Sequence, residues 1–422
     1  MNQRDRDVHV VPGCTGVIVD GFKIPPSGSN GVGIYFLTHF HSDHYSGLHS
    51  RWAWGRIYCT EITKALVVQQ LGVNEDKISV ITVNNKTTIP NNGWEVTPLD
   101  ANHCPGAVML LFAPPPGEKD SDQMILHTGD MRACDSFKSY PALKDVKISR
   151  LFLDTTYAHA KHRFLPQHES ISLVEGTAKA FLEKHTDGLV FLSAYNIGKE
   201  RVFCNLIDKL EGDVKVYVDE RKLNMLKLLG PEYVDRIDKG QFTTDPKAAQ
   251  IHIVKMGFGG QLWPYFQPDF DGPREYMNNL GYSRDSNALV FIPSGWATSS
   301  NYNKNHQVVE NGNICLQLVP YSEHSNFEEL NEFVKWLRPQ NVTPTVYKDE
   351  ADKRNIVKRF SHLTNHTAAK QSFLALFGPK RKRGLPPQTN DPVQQPKTVC
   401  IDLSVDSDPD DSAGNEKKRR AP

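Results

Sequence analysis

Apolar residues in this chain fall in short runs, and each run stops at an abrupt polar loop. Ile34-Tyr35-Phe36-Leu37 reads as a buried strand, and Thr38-His39-Phe40-His41-Ser42-Asp43-His44 follows at once. Gly16–Asp20 predicts a strand ending in a carboxylate. A strand around Arg56–Cys59 precedes a helix from Glu61 to about Gln70. Short strands follow at Ile78–Val83, Trp94–Leu99, Ala107–Phe112 and Met124–Leu126. The last three flank Asp100–Gly106, which carries His103, and His127-Thr128-Gly129-Asp130. Leu151-Phe152-Leu153 ends at Asp154. An apolar strand followed by a loop with a ligand-type residue is how α/β proteins build sites at strand ends.

From about Pro166 the periodicity alternates. Ile171, Val174, Ala178, Phe181 and Leu182 mark one face of a helix. Leu189–Leu192 is a strand, and Val202, Phe203, Leu206, Ile207 and Leu210 mark the next helix. Val214–Val218 is a strand, with a helix near Leu223–Leu229 after it. This βα alternation predicts a second domain built on a parallel sheet. Strands at Ile251–Val254, Leu289–Ile292 and Cys315–Val319 lead back, the last into Pro320-Tyr321-Ser322-Glu323-His324-Ser325. Asn326 is placed to cap the helix behind it. A strand at Val342–Tyr347 and a helix near Asn355–Leu363 close the globular part, and no internal repeat is visible. Beyond about Gly378 the chain is rich in Pro, Asp, Ser and Lys, a composition that predicts disorder.

With 422 residues and 39% hydrophobic content, two domains and a tail are expected. No apolar run approaches the roughly 18 residues that span a bilayer, and no apolar signal core follows Met1–Arg6. The seven cysteines are scattered without a Cys-x-x-Cys pair. That argues for a reducing compartment and against a cysteine-type zinc finger. The formal net charge is zero, so any nucleic-acid binding must rest on a local basic patch.

The strand-end residues form a donor set. Imidazole and carboxylate suit zinc, and three histidines with one carboxylate are an ordinary coordination set. We assign His39, His41, His103 and Asp130 to one metal. Asp43, His44 and His324 would surround a second, with Asp130 bridging. Asp20 and Asp154 would orient these ligands from behind or complete the second set. Metal contact lowers the pKa of bound water from ~15.7 toward about 7, and two ions roughly 3.5–4 Å apart stabilise both oxygens of a phosphodiester displacement. Cys104 is read as a small buried neighbour, and His127 as a backbone-bonded histidine.

His39-Phe40-His41-Ser42-Asp43-His44 resembles the HxHxDH signature of the metallo-β-lactamases, with Asp20, His103 and Asp130 matching the first, third and fourth motifs. Asp154, in Leu-Asp-Thr-Thr-Tyr, and His324, in Tyr-Ser-Glu-His-Ser, are similar to motifs A and B of the β-CASP nucleases. Where RNA-processing members carry a motif C histidine, this chain has Val346. That resembles the DNA branch, the cross-link-repair nucleases that include Artemis and Apollo. Asp100–Ala107, Ile197–Glu200 and Ser294–Trp296 are most similar to the catalytic domain of the interstrand cross-link repair exonuclease. The resemblance spans roughly residues 10–365. It implies an α/β fold, the metallo-β-lactamase αβ/βα sandwich. Residues 1–157 and 320–378 would form the sandwich, 158–319 an inserted β-CASP domain, and 379–422 a disordered tail.

The resemblance further implies a zinc-dependent 5′→3′ DNA exonuclease that prefers a 5′-phosphate. Asp20, Asp43, Asp130, Asp154 and His324 would be its catalytic residues. The alternatives are a hairpin-opening endonuclease of Artemis type and a small-ester metallohydrolase. Ser193–Glu200 joins a strand to a helix through a Gly-Lys pair, a setting in which helix N–H groups and a lysine cradle phosphate. Lys199, with Ser193 and Ser322, is therefore the candidate anchor for a terminal phosphate.

The tail adds three signals. Lys380-Arg381-Lys382-Arg383 resembles a nuclear import signal, with a solvated charge run as the alternative. Gln371–Phe377 has the Gln-x-x-Leu-x-x-Phe spacing of sliding-clamp peptides, although Gly378 replaces the second aromatic; a terminal helix packed on the core is the alternative. Val399–Leu403, followed by Asp406, Asp408, Asp410 and Asp411, resembles a SUMO-interacting strand that adds to a sheet edge, or else is plain acidic linker. A nuclear monomer acting on DNA ends is expected.

Overall fold

The computed structural model describes residues 7–26, 33–90, 92–117, 123–210, 213–262, 266–298 and 308–365. Strands β1 (Val17–Val19), β2 (Gly33–Phe36), β3 (Gly55–Cys59) and β4 (Ile78–Val80) form a parallel sheet in that order. Helix α1 (Glu61–Leu71) covers its outer face through Leu66 and Val67. Strands β5 (Thr87–Thr88), β6 (Glu95–Asp100), β7 (Val108–Ala113), β8 (Gln123–His127) and β9 (Lys147–Leu153) build a second sheet. Its pairing is antiparallel from β5 to β8 and parallel from β8 to β9.

The two sheets face each other across one apolar layer. Val17, Val19, Phe36 and Tyr58 come from the first sheet; Val96, Leu110, Phe112 and Phe152 come from the second. Phe36 meets Phe112 edge-on at 5.4 Å between ring centroids, a favoured aromatic geometry. Because side chains alternate along a strand, the neighbouring positions Ile18, Tyr35, Ile57, Leu111, Leu126 and Leu151 point outward, where helices bury them.

A third sheet follows. It contains β10 (Leu189–Ala194), β11 (Val216–Tyr217), β12 (Phe242–Thr243) and β13 (Ile251–Lys255). After a small hairpin, β14 (Gly260–Gln261) and β15 (Gln267–Pro268), come β16 (Ala288–Pro293), β17 (Val308–Asn311) and β18 (Ile314–Val319). The order is β12-β11-β13-β10-β16-β18-β17, parallel except for the edge strand β17. β10 and β16 are buried at every position, as expected of parallel strands covered on both faces. Helices α2 (Gln167–Lys184), α3 (Glu200–Lys209), α4 (Glu220–Leu226), α5 (Pro231–Asp238) and α6 (Asp271–Asn279) belong to this part.

From β18 the chain enters the loop 320–325 and then α7 (Phe327–Leu337). Asn326 and Glu329 form a reciprocal capping box at its start. Strand β19 (Asn341–Pro344) pairs with β9 in the second sheet, and α8 (Glu350–Ser361) ends the described fold. The chain thus crosses from the third sheet back to the sandwich through the loop that carries His324. Helices α5 and α6 and strand β17 have no counterpart in the sequence pattern. The predicted strands at Val214–Val218 and Val342–Tyr347 are shorter than expected, Val216–Tyr217 and Asn341–Pro344.

Candidate metal centre

The loops leaving β1, β2, β6, β8, β9 and β18 meet at one place. Asp20 ends β1 at φ 52°, a left-handed conformation that aspartate tolerates better than most residues. Its Oδ1 accepts from Thr38 N at 2.8 Å, and Oδ2 accepts from Thr38 Oγ1 at 2.7 Å. Since the Thr38 hydroxyl donates to Asp20, it accepts from His39 Nδ1 at 2.9 Å, which leaves His39 Nε2 without a proton. His103 Nδ1 donates to the Glu323 carbonyl at 2.8 Å, so its Nε2 is bare as well. His41 Nε2 donates to the Ile197 carbonyl at 3.1 Å and leaves Nδ1 bare.

These three lone pairs converge. His39 Nε2 lies 2.9 Å from His41 Nδ1, and His103 Nε2 lies 3.1 Å from the same atom. Asp130 Oδ2 stands 3.6 Å from His39 Nε2 and 3.7 Å from His103 Nε2. Acceptors gathered with no donor between them repel one another unless a cation sits among them. His39, His41, His103 and Asp130 form a group that could hold a metal ion, and Asp130, Asp154 and His324 form another that shares Asp130. The donor set of imidazole and carboxylate, free of thiolates, fits zinc.

The second group differs in detail from the sequence expectation. Asp154 is a member, the second of the two roles expected of it, while His44 and Asp43 are not; its Oδ2 meets His324 Nδ1 at 2.8 Å. His44 stands beside it with Nδ1 on Asp20 Oδ2 at 2.8 Å and Nε2 at 3.3 Å from Asp130 Oδ2. Asp43 stands at the rim: its side chain is 79% exposed, and its carboxylate is 3.8 Å from His44 Nε2. The reason is local, because 42–44 form a turn closed by His44 N on the His41 carbonyl, which leaves Asp43 at its outside.

Electrostatics divide the histidines. Burial pushes His39 and His103 well below the ordinary imidazole range and lowers His41 too, keeping all three neutral. Burial also opposes charge on His44, but Asp130 and Asp20 outweigh it and raise its pKa well above the usual value. His324 is raised to about 9, its burial overcome by Asp154 and Asp130. Asp130 itself, although buried, is held well below the usual carboxylate range by His44 and His324.

A cavity of about 680 Å³ opens over His41, His44, Asp130 and His324, lined also by Tyr195, Arg221 and Val346. His127 donates to the Val8 carbonyl at 3.1 Å, and the buried Cys104 thiol is pushed well up. Lys199 lies behind the cavity. Its Nζ donates to the Pro293 carbonyl at 3.1 Å and sits 4.7 Å from the centre of the Tyr195 ring. The hydroxyl of Ser193 is fully buried with no hydrogen-bond partner among the described residues, and Ser322 Oγ accepts from His324 N at 3.0 Å. The sequence reading missed Thr38, Glu323 and the Ile197 carbonyl. Burial raises the Glu323 carboxyl to about 7, and its Oε1 accepts from Lys199 N at 2.7 Å. The tail segments Gln371–Phe377, Lys380–Arg383 and Val399–Leu403 lie outside the described residues.

Residues 237–350 match the family described as DNA repair metallo-beta-lactamase. Over 352 residues the chain is 36% identical to the human DNA cross-link repair 1A protein, a match covering 83% of this chain and 31% of that protein. The chain belongs to the DNA-repair metallo-β-lactamase family. The DNA ligase 6 of Arabidopsis thaliana is 38% identical over 371 residues, covering 86% of this chain and 25% of that protein. The chicken 5′ exonuclease Apollo is 32% identical over 342 residues, covering 81% and 64%. The chain therefore spans about a quarter to a third of the first relatives it matches. Its fold is accordingly the metallo-β-lactamase αβ/βα sandwich, in the family of the cross-link-repair proteins it resembles.

Proposed function

We propose that this protein is a zinc-dependent 5′→3′ DNA exonuclease that hydrolyses phosphodiesters from 5′-phosphorylated ends, acting in the nucleus in cross-link or double-strand-break repair. One observation carries the reading: three unprotonated imidazole nitrogens and Asp130 face a common point, and two of the four residues, His41 and Asp130, line an open cavity. His39, His41, His103 and Asp130 would hold the first ion; Asp130, Asp154 and His324, bordered by His44 and Asp43, a second. Bound zinc supplies Lewis acidity, making water a nucleophile near neutral pH and neutralising phosphodiester charge.

The chain's own residues do the rest. Asp20, through Thr38, fixes the tautomer of His39 and fastens His44. Asp154 orients His324. Lys199, Ser193 and Ser322 are the candidate holders of the terminal phosphate; all three are buried, and the Ser193 hydroxyl has no hydrogen-bond partner among the described residues. We divide the fold into a sandwich of residues 1–157 and 320–378 with a β-CASP insertion at 158–319. The sliding-clamp and SUMO readings of the tail, and a monomeric state, belong to the same proposal.

The test is digestion of end-labelled, 5′-phosphorylated single-stranded DNA by wild type and Asp130→Asn, with a chelator control. Stepwise loss of nucleotides from the 5′ end, abolished by the substitution and by the chelator, is expected. Undiminished digestion by Asp130→Asn contradicts the metal assignment. Cleavage of a hairpin lacking a free 5′ end would favour an endonuclease.

A further inference from the structure

We propose that Glu200 and Lys222, a buried ion pair in the layer of the third sheet, are positioning residues for His41 and set how tightly the first metal is held. The inference rests on reading the imidazole group as a metal site.

The loop 195–199 joins β10 to α3 and reaches across to the sandwich, where the Ile197 carbonyl takes the proton of His41 Nε2 at 3.1 Å. That bond decides which ring nitrogen of His41 is bare. The carbonyl is in turn held from both sides by two side chains that touch no proposed ligand in any hydrogen bond described. Both oxygens of Glu200 accept from Gly198 N, at 3.0 and 2.8 Å. Lys222, in the first turn of α4, donates to Glu200 Oε1 at 2.7 Å and to the Asn196 carbonyl at 2.8 Å. Its third contact is the Tyr195 carbonyl at 3.3 Å. The residues before and after Ile197 are thus both fixed.

An ammonium has three protons, and here there are three acceptors. A buried ion pair adds little net stability over an apolar one, but it fixes geometry when all its bonds are filled. The fit leaves no slack. Gly198 has φ 106°, and a Cβ placed there would stand 2.7 Å from Glu323 Oε2 and 3.7 Å from His41 Nε2. The second nitrogen of a metal-binding histidine governs both its tautomer and its ring orientation, and losing its partner costs ~10–100-fold in metal affinity. Glu200 and Lys222 act one step further back, on the partner. The alternative is that the pair does no more than pin α3 to α4.

The full chain decides between these as wild type, Glu200→Gln, Lys222→Met and the paired Glu200→Gln/Lys222→Met, which leaves no lone buried charge. Zinc affinity is read by competition with a chromophoric chelator, well below the melting temperature of each metal-free protein. The His41 ring tautomer is read by ¹⁵N-resolved NMR. The proposal predicts a loss of zinc affinity in the variants greater than twofold, bounded by the ~10–100-fold that loss of a direct partner costs, with mixed ring tautomers of His41 and unchanged far-UV circular dichroism. Affinity within twofold of wild type in folded variants overturns it, even if they melt earlier. Wild type that takes up no zinc would instead contradict the metal reading beneath it.

Discussion

Thr38 shows how much of the site is decided one atom from the ligands. Its hydroxyl donates a hydrogen bond to Asp20 and accepts one from His39, so a single oxygen connects a carboxylate to an imidazole of the candidate metal group. Thr38→Val keeps the shape and removes both bonds. Leaving buried polar groups unsatisfied costs ~1–3 kcal/mol, and urea unfolding should report a loss of that size, together with weaker zinc binding. Unchanged zinc affinity in a folded Thr38→Val protein would mean that His39 is oriented by something else. Lys199 is the second test at this scale. If its ammonium reads the terminal phosphate, Lys199→Ala should reduce digestion of 5′-phosphorylated ends more than of 5′-hydroxyl ends. An unchanged ratio rules that role out. The histidine loop was legible because His39, His41, Asp43 and His44 lie within six positions behind an apolar run. Glu323 and the Ile197 carbonyl were not. A carboxyl beside a more conspicuous histidine draws no notice, and a backbone acceptor leaves no trace in the side-chain pattern.

Elements deliver these atoms, and α7 is the most exposed to test. Its capping box starts directly after the His324 loop, and Glu329 also accepts from Arg132 at 2.7 Å. Arg132 is fully buried and donates to the Ser322 carbonyl at 2.8 Å, so the cap and the loop share a support. Asn326→Ala should cost about 0.5–2 kcal/mol in unfolding free energy, read from the urea midpoint at constant slope. A change near zero would show that the box is ornamental. Strands with continuous apolar runs were legible, β10 and β16 above all. Helix α6 was not, because Gly272 and Pro273 are weak helix formers and packing overrides them. Edge strand β17, Val308–Asn311, is mostly exposed and forms because β18 offers it an unpaired edge.

At the scale of the whole molecule, the site is assembled by residues far apart in sequence. The first sheet brings Asp20 and the histidine loop, the second brings His103, Asp130 and Asp154, and the third brings Ile197 and His324. The sequence indicated which strand ends carry ligand types, but not that the β10–α3 loop would close over His41, since that contact joins residues 156 positions apart. A cation at the junction should therefore hold the three parts together. Binding to the folded state alone stabilises by ~2.7 kcal/mol when free ligand is 100 times Kd. The melting temperature should accordingly rise with added zinc and fall with chelator, in a concentration-dependent way. A melting temperature indifferent to both would place the metal elsewhere or nowhere.

The most direct measurement is anomalous X-ray scattering at the zinc edge from crystals of the zinc-loaded protein. The account predicts a peak ~2.0–2.1 Å from each of His39 Nε2, His41 Nδ1 and His103 Nε2, with Asp130 as the fourth neighbour. A difference map without density at that point, or with peaks only outside it and the neighbouring Asp130, Asp154 and His324 group, would contradict it.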